Sequence, residues 1–366
     1  MESGMLETKN IAKRNGKIVY ADGSEEILEY GMTEVGEEAF MGKDIVSAEL
    51  PNSVHTVGAC AFFVCSSLKK VVIPYSVKTI ERRAFSACDI EEITIPYGVE
   101  VIGESAFSGC EKLHTVHLTK GLKEIEEHAF YECKNLKKIT LPEGLVKIGR
   151  EAFSFCREIE TEIPKSVTEM GANPFRCCRN CCVSISAENA AYKLIDGNIY
   201  TADGKEIISY LGDERVFSVP EGTERIGEMA FSYSLLNEIK FAESVRNIGR
   251  FAFWGCRFSS LTIPWNVYSI GELAFSDCKS LRSIYIEEGV CRIEKRAFDG
   301  CELLTSAYLP KTLDEVEDGV FDGCAVTVYK MDIFYGGSKL QWNKLKGRQT
   351  LETAKIHYKT VFGYTK

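Results

Sequence analysis

No apolar run in this 366-residue chain approaches the ~18 residues of a membrane-crossing helix, so membrane insertion is not expected. Excess positive charge is also lacking. The formal net charge is −9, which argues against a nucleic-acid partner. Catalytic signatures are missing: there is no G-x-S-x-G, H-E-x-x-H, G-x-x-x-x-G-K-[ST] or G-x-G-x-x-G. Asp and Glu are plentiful but fall at variable positions, where they read as solvated faces and not as an acid/base pair. Neither an enzyme nor a cofactor is expected. Histidine is scarce, with His55, His114, His117, His128 and His357 only. His114 and His117 are three apart on a strand, so their rings should point to opposite faces, a poor metal pair. The first residues, MESGMLETKN, lack the apolar core of a signal peptide. That start suits either the mature fragment of an exported protein or a cytoplasmic chain.

What the chain has in abundance is periodic phenylalanine. Phe40, Phe62, Phe85, Phe107, Phe130, Phe153 and Phe175 recur at 22 or 23 residues, and so do Phe231, Phe253, Phe275, Phe298 and Phe321. A period of this length means a stack of like supersecondary units. In Leu113–Cys133, LHTVHLTKGLKEIEEHAFYEC, Val116 and Leu118 lie on one face of a short strand, while Thr115 and His117 face away. Leu122 and Ile125 are apolar again, and Ala129, Phe130 and Cys133 close the unit on a tight helical turn. Eight of the nine prolines sit just after the strand, where a missing N–H ends the ladder. One unit cannot bury its apolar face, but stacked units can. The expected fold is a β-rich solenoid of about a dozen such units, with short strands and short helical turns.

The in-register run I-P-x-x-V-x-x-I-G-x-x-A-F-x-x-C, as over residues 95–110 and 263–278, resembles the BspA-like, or Treponema-type, leucine-rich repeat. The resemblance covers residues 27–330 and implies a leucine-rich-repeat fold in a curved, right-handed stack. The slot that a ladder Asn or Cys usually holds is Ser76, Gly98, Gly121, Gly144, Ser166, Asn266 or Gly289 here. The loops should therefore be satisfied mainly by backbone hydrogen bonds.

The Phe period breaks once, between Phe175 and Phe231. Gly197 to Ile208 repeats the pattern of Gly16 to Ile27 at a constant offset of 181. Asp-Gly between strand-like segments signals a hairpin in each. The chain then divides into an N-terminal hairpin cap over 1–30, a repeat block over 31–186, an inserted hairpin over 187–218 and a second block over 219–330. A C-terminal cap over 331–366 follows. The insertion is expected to continue the stack, because it is not rich in Pro or Ser as a linker would be. In the cap, Ser338 can start a short helix carrying Leu340, Trp342 and Leu345, and Ile356 and Tyr358 read as a last strand. Residues 330–366 carry eight basic and two acidic side chains, so the rest of the chain is strongly acidic.

Ten of the fifteen cysteines stand three residues after a repeat Phe, from Cys65 to Cys324. A column in register reads as buried thiols. Parallel Cβ directions in neighbouring units disfavour disulfide geometry. Cys177-Cys178-Arg179-Asn180-Cys181-Cys182 holds two overlapping C-x-x-C pairs, half of a zinc site, but no second set lies where four ligands would meet.

The strand face opposite the core is the candidate recognition surface. One column holds Val72, Thr94, His117, Thr140, Lys240, Thr262, Tyr285 and Tyr308, and Ser283 and Ser306 stand beside the last two. Bare exposed sheet would use similar residues. A recognition surface would use Tyr285 and Tyr308 as anchors, since Tyr is enriched at hot spots. A second aromatic set, Tyr75, Tyr97 and Trp265, follows the strand prolines and either covers turns, the favoured reading, or meets a partner or sugar. The family resemblance implies a bacterial surface or secreted adhesin binding host or matrix proteins or neighbouring cells. A cytoplasmic protein–protein scaffold is the alternative. The expected ligand is a protein, with carbohydrate a further candidate.

Overall fold

In the computed structural model the chain is described over residues 13–325, 330–351 and 353–359. Residues 1–12 of the expected N-terminal cap, and the last residues of the C-terminal cap, lie outside that range. Two units are distinguished: residues 1–169 with 180–183, and residues 170–179 with 184–366.

Each unit is a β-solenoid whose coils contribute two short strands in parallel ladders. In the first unit, Ile45–Glu49 pairs with Lys70–Val72, and Glu92–Thr94 pairs with Thr115–His117, which pairs with Lys138–Ile139. The second ladder runs from Glu34–Val35 through Thr56–Val57, Thr79–Ile80, Val101–Ile102 and Glu124–Ile125 to Lys147–Ile148. Alternation puts Val116 and Ile125 inward and leaves His117 exposed. The second unit repeats the plan. Ser260–Ile263, Ser283–Ile286, Ser306–Leu309, Asp332–Tyr335 and Lys355–Tyr358 form one parallel sheet. Glu206–Ser209, Arg225–Ile226, Asn247–Ile248, Ser269–Ile270, Arg292–Ile293 and Glu315–Val316 form the other.

The periodic phenylalanines are the spine of the core. From Phe40 to Phe153 successive rings are stacked with centroids 5.1–5.5 Å apart and within 14° of parallel. From Phe231 to Phe321 the spacing is 5.0–5.5 Å. The break in the period is filled by a different residue. Tyr210 donates its N–H to Ala230 O at 2.9 Å, and its ring lies 5.0 Å from that of Phe231. The hairpin Asn198–Thr201/Glu206–Ser209 thus delivers the first rung of the second unit's ladder.

The turn that carries each Phe is not helical. The residue two before the Phe has positive φ in coil after coil, as in Arg83 (φ 54), His128 (φ 57) and Leu273 (φ 55). An L-residue pays roughly 1–2 kcal/mol for this conformation. The compensation is a ladder of hydrogen bonds: His128, Phe130 and Glu132 donate to Arg150 O, Ala152 O and Ser154 O of the next coil at 2.8–2.9 Å. The intervening N–H groups close local turns, as Tyr131 does to His128 O at 2.9 Å. Alternate backbone donors therefore point along the stack, which an α-helix would not allow. The tight helical turn expected at Ala129, Phe130 and Cys133 is thus a non-helical turn.

Both Asp-Gly hairpins form. Gly16–Tyr20 pairs antiparallel with Glu25–Leu28, and Ser24 donates N–H and O–H to Asp22 at 2.8 and 2.6 Å. The C-terminal helix Lys339–Trp342 starts at a capping box between Ser338 and Gln341, and buries Trp342. Lys355–Tyr358 is the last strand, as expected.

Candidate functional site

The cysteine column is buried, and the fifteen cysteines are free thiols. Nine of the ten column thiols donate to the carbonyl of the Phe one coil back, and Cys178 contacts Arg176 O at 3.9 Å. Cys65, Cys110 and Cys133 donate to Phe40, Phe85 and Phe107 O at 3.0, 3.1 and 3.2 Å, and Cys256 and Cys301 do the same to Phe231 and Phe275 at 3.2 Å. Burial pushes the Cys110 and Cys256 thiols up to about 12. These are structural groups. In the run 177–182, Cys178 is buried, Cys177 and Cys181 are half-buried and Cys182 is exposed. Among the described residues no three Cys, His, Asp or Glu side chains converge as metal ligands would. His117 bonds to Glu92 at 2.9 Å, and His114 to Thr115 at 2.9 Å.

At the post-strand slot backbone bonds close the loops, as Val99 N–H to Pro96 O at 3.0 Å and Val267 N–H to Pro264 O at 3.1 Å do. Some slot side chains also bridge coils. Ser244 Oγ accepts from Gly222 N–H at 3.0 Å and donates to Thr223 O at 2.8 Å. Thr312 does the same with Gly289 N–H and Val290 O at 2.8 and 3.1 Å. Asn266 donates to Ala242 O and Val245 O at 3.0 and 2.7 Å. Glycine occupies the slot where the preceding coil comes flush: a Cβ on Gly121 would lie 1.9 Å from Tyr97 O.

On the strand face of the second unit the expected column is present and longer than the sequence showed. Thr262, Tyr285 and Tyr308 are directly opposite one another on neighbouring strands, and Ser283 faces Ser306 beside them. Tyr308 is followed by Phe334 and then His357 in the same register. The rings of Tyr285 and Tyr308 are 5.8 Å apart and tilted by 52°. Those of Tyr308 and Phe334 are stacked at 4.7 Å and 13°, and those of Phe334 and His357 at 4.7 Å and 14°. His357 is held by Asp332 at 2.7 Å. Phe334 and His357 escaped the sequence reading because the Phe period ends at Phe321, and the offset from Tyr308 to Phe334 is 26. The tyrosines are half-buried. Stacking spends ring faces on neighbours, so the column offers edges and hydroxyls to a partner.

The other site residues do not join this patch. Lys240 is exposed on Glu238–Lys240, which pairs with Val216–Ser218. His117 and Thr140 are exposed on the first unit, with Thr140 just past the strand Lys138–Ile139. The post-strand aromatics do not cover turns. Tyr75, Tyr97 and Trp265 are 49%, 72% and 60% exposed. The loop backbone is already closed by the hydroxyl and glycine contacts of the next coil, so the rings are left in solvent.

Two parallel ladders per coil, stacked Phe and a thiol column define a leucine-rich-repeat β-solenoid. The BspA type leucine rich repeat region matches this sequence with 6 copies, over residues 33–160, 109–199 and 213–327, and the chain belongs to that family. A leucine rich cell surface protein from Faecalibacterium prausnitzii is similar in structure, with 26% identity and TM-score 0.63, over 94% of this chain and 98% of that one. The pneumococcal vaccine antigen PcpA shares the fold at 21% identity and TM-score 0.61, over 94% and 88%. So does a leucine-rich repeat protein from Eubacterium ventriosum, at 20% and 0.58, over 78% and 84%. No curated protein matches. Among the described residues, no helix is long and apolar enough to cross a membrane.

Proposed function

We propose that this protein is a non-enzymatic recognition module of the bacterial cell surface, an adhesin-like solenoid that binds a host or matrix protein along the strand face of its second unit. The observation that carries this reading is the aromatic column Tyr285–Tyr308–Phe334–His357, half-buried and bordered by Ser283 and Ser306. Rigid aromatic groups lose little entropy on binding and dominate hot spots. The family and the cell-surface description of the F. prausnitzii protein favour an external location. Thr262 extends the same face, while Lys240 offers a separate contact on its own strand pair and His117 and Thr140 another on the first unit. Edge-on rings suit a polypeptide better than a sugar, which stacks on ring faces.

The test uses purified matrix proteins immobilised for interferometry. Tyr285→Ala with Tyr308→Ala should weaken binding by roughly 2 kcal/mol or more while the far-UV circular dichroism spectrum stays that of the folded wild type. Equal binding by wild type and double variant would sink the strand-face reading.

A further inference from the structure

The post-strand loops of the second unit form a row distinct from the strand face. Strand register aligns Glu221 with Glu243, because Ser218 faces Lys240, and Trp265 with Glu288 and Lys311, because Thr262 faces Tyr285 and Tyr285 faces Tyr308; the Tyr268 N–H to Arg246 O bond joins the two sets into one row. A parallel line, three residues on, holds Glu224, Arg246, Tyr268, Cys291 and Asp314; Tyr268 donates N–H to Arg246 O, and Cys291 to Tyr268 O, at 2.7 and 2.9 Å. Trp265 and Tyr268 therefore project from one loop, and both are more than half exposed, at 60% and 57%. They are among the largest exposed apolar side chains of the unit.

Their surroundings are rich in carboxylates. Some glutamates of the unit face cations of a neighbouring coil, as Glu224 at the start of the second line faces Lys205 at 2.7 Å and Glu302 faces Lys279 at 3.2 Å. Among the described residues, Glu221, Glu243 and Glu288 form no ion pair. Glu221 accepts Glu243 N–H at 3.1 Å, Glu287 accepts Trp265 N–H at 3.0 Å, and Glu288 accepts Lys311 N–H at 3.3 Å. A backbone amide is neutral, so Glu221 and Glu288 keep their charge in these contacts. The nearby Arg246 guanidinium is turned onto the Glu243 and Val245 carbonyls, at 2.7 and 3.1 Å. Lys311 ends the line and limits the acidic stretch to its N-terminal side.

We infer that this row binds a lysine- or arginine-rich polypeptide segment, with Trp265 and Tyr268 receiving a cationic side chain and Glu221, Glu243 and Glu288 flanking it. Indole is the best aromatic receptor for an ammonium or guanidinium, and nearby carboxylates of fixed position add to the attraction. Coils ~4.8 Å apart put Glu221 and Glu288 about 14 Å apart along the row. That distance is spanned by about four or five residues of an extended chain. The row is separate from the Tyr285–Tyr308 column, so it stands whether or not that column binds.

The experiment is fluorescence anisotropy of a labelled octalysine peptide against the full chain, at low and at physiological ionic strength. Trp265→Ala with Tyr268→Ala removes no charge and should weaken binding at least about tenfold. Glu221→Gln, Glu243→Gln and Glu288→Gln together should do the same. Glu34→Gln, Glu37→Gln and Glu91→Gln, which remove the same charge from the first unit, should change it less than about twofold, as should Tyr285→Ala with Tyr308→Ala. Far-UV circular dichroism spectra matching the wild type check that the variants fold. Failure of octalysine to bind the wild type overturns the inference. Equal weakening by both glutamate triples, or retained binding in the aromatic double variant, reduces it to non-specific attraction and also overturns it. An uncharged oligosaccharide that binds in a Trp265-dependent manner while octalysine does not would assign the row to carbohydrate instead.

Discussion

Phe334 lies face to face with Tyr308, ring centroids 4.7 Å apart and 13° from parallel, although the two residues belong to different sequence patterns. Tyr308 ends the repeat series, and Phe334 opens the C-terminal cap. The cap therefore continues the strand face instead of merely closing the core. A double-mutant cycle over Tyr308→Ala and Phe334→Ala should show a coupling of about 0.5–1.5 kcal/mol in denaturant melts, the range for paired aromatic rings. Additive effects would mean that the stack does not persist in solution.

Phe130 sits between Phe107 and Phe153, at 5.4 and 5.5 Å, and is fully buried. Phe130→Ala should cost about 3–5 kcal/mol. A loss below about 1 kcal/mol, the range of surface changes, would contradict its place in the ladder.

The thiol ladder predicts strongly state-dependent reactivity. In the native protein a thiol probe should modify Cys182 first and the column from Cys65 to Cys156 hardly at all. Denatured, unreduced protein should expose nearly all thiols. Column cysteines found as disulfides in the unreduced protein would overturn the assignment.

Those same thiols make the fold sensitive to alkali. Cys110 and Cys256 are pushed by burial to about 12 from an ordinary 9.0, so the folded state keeps protons that the unfolded chain releases. The stability they contribute is complete below about pH 9 and declines as pH rises from there toward 12. The denaturant midpoint should therefore fall between pH 8 and pH 10. Cys110→Ala with Cys256→Ala should shallow that fall, and an identical slope would argue against it.

The hydroxyl bridge at the post-strand slot gives a smaller effect. Thr312→Ala removes the acceptor of Gly289 N–H and the donor to Val290 O. The expected cost is about 1–2 kcal/mol, because the partners are partly buried. Thr312→Ser should restore most of it in the same melts.

Much of the fold was legible in the chain because a repeat protein writes its contacts at constant offset. Phe at 22 or 23, Pro after the strand and Cys after Phe each mark a column, and columns need only stacking to become a core. The same logic placed Tyr285 beside Tyr308. It failed where geometry departs from the period. Tyr210 replaces a Phe in the ladder after a hairpin of different length, and no spacing signals this. Phe334 and His357 reach the strand face through an offset of 26 and a new strand pair.

The sequence by itself determined the repeat, its apolar columns, the two Asp-Gly hairpins and the capped helix at Ser338, since each depends on residues near in sequence or at one fixed interval. Only the tertiary structure decided that the Phe turn is left-handed at two residues per coil, two before and two after the Phe, because backbone donors there choose between a local carbonyl and one in the next coil. Only it decided that Trp265 and Tyr268 stay in solvent. The glycine and hydroxyl contacts of neighbouring coils close the loop backbone beneath them, and no local pattern records that the space above is left open.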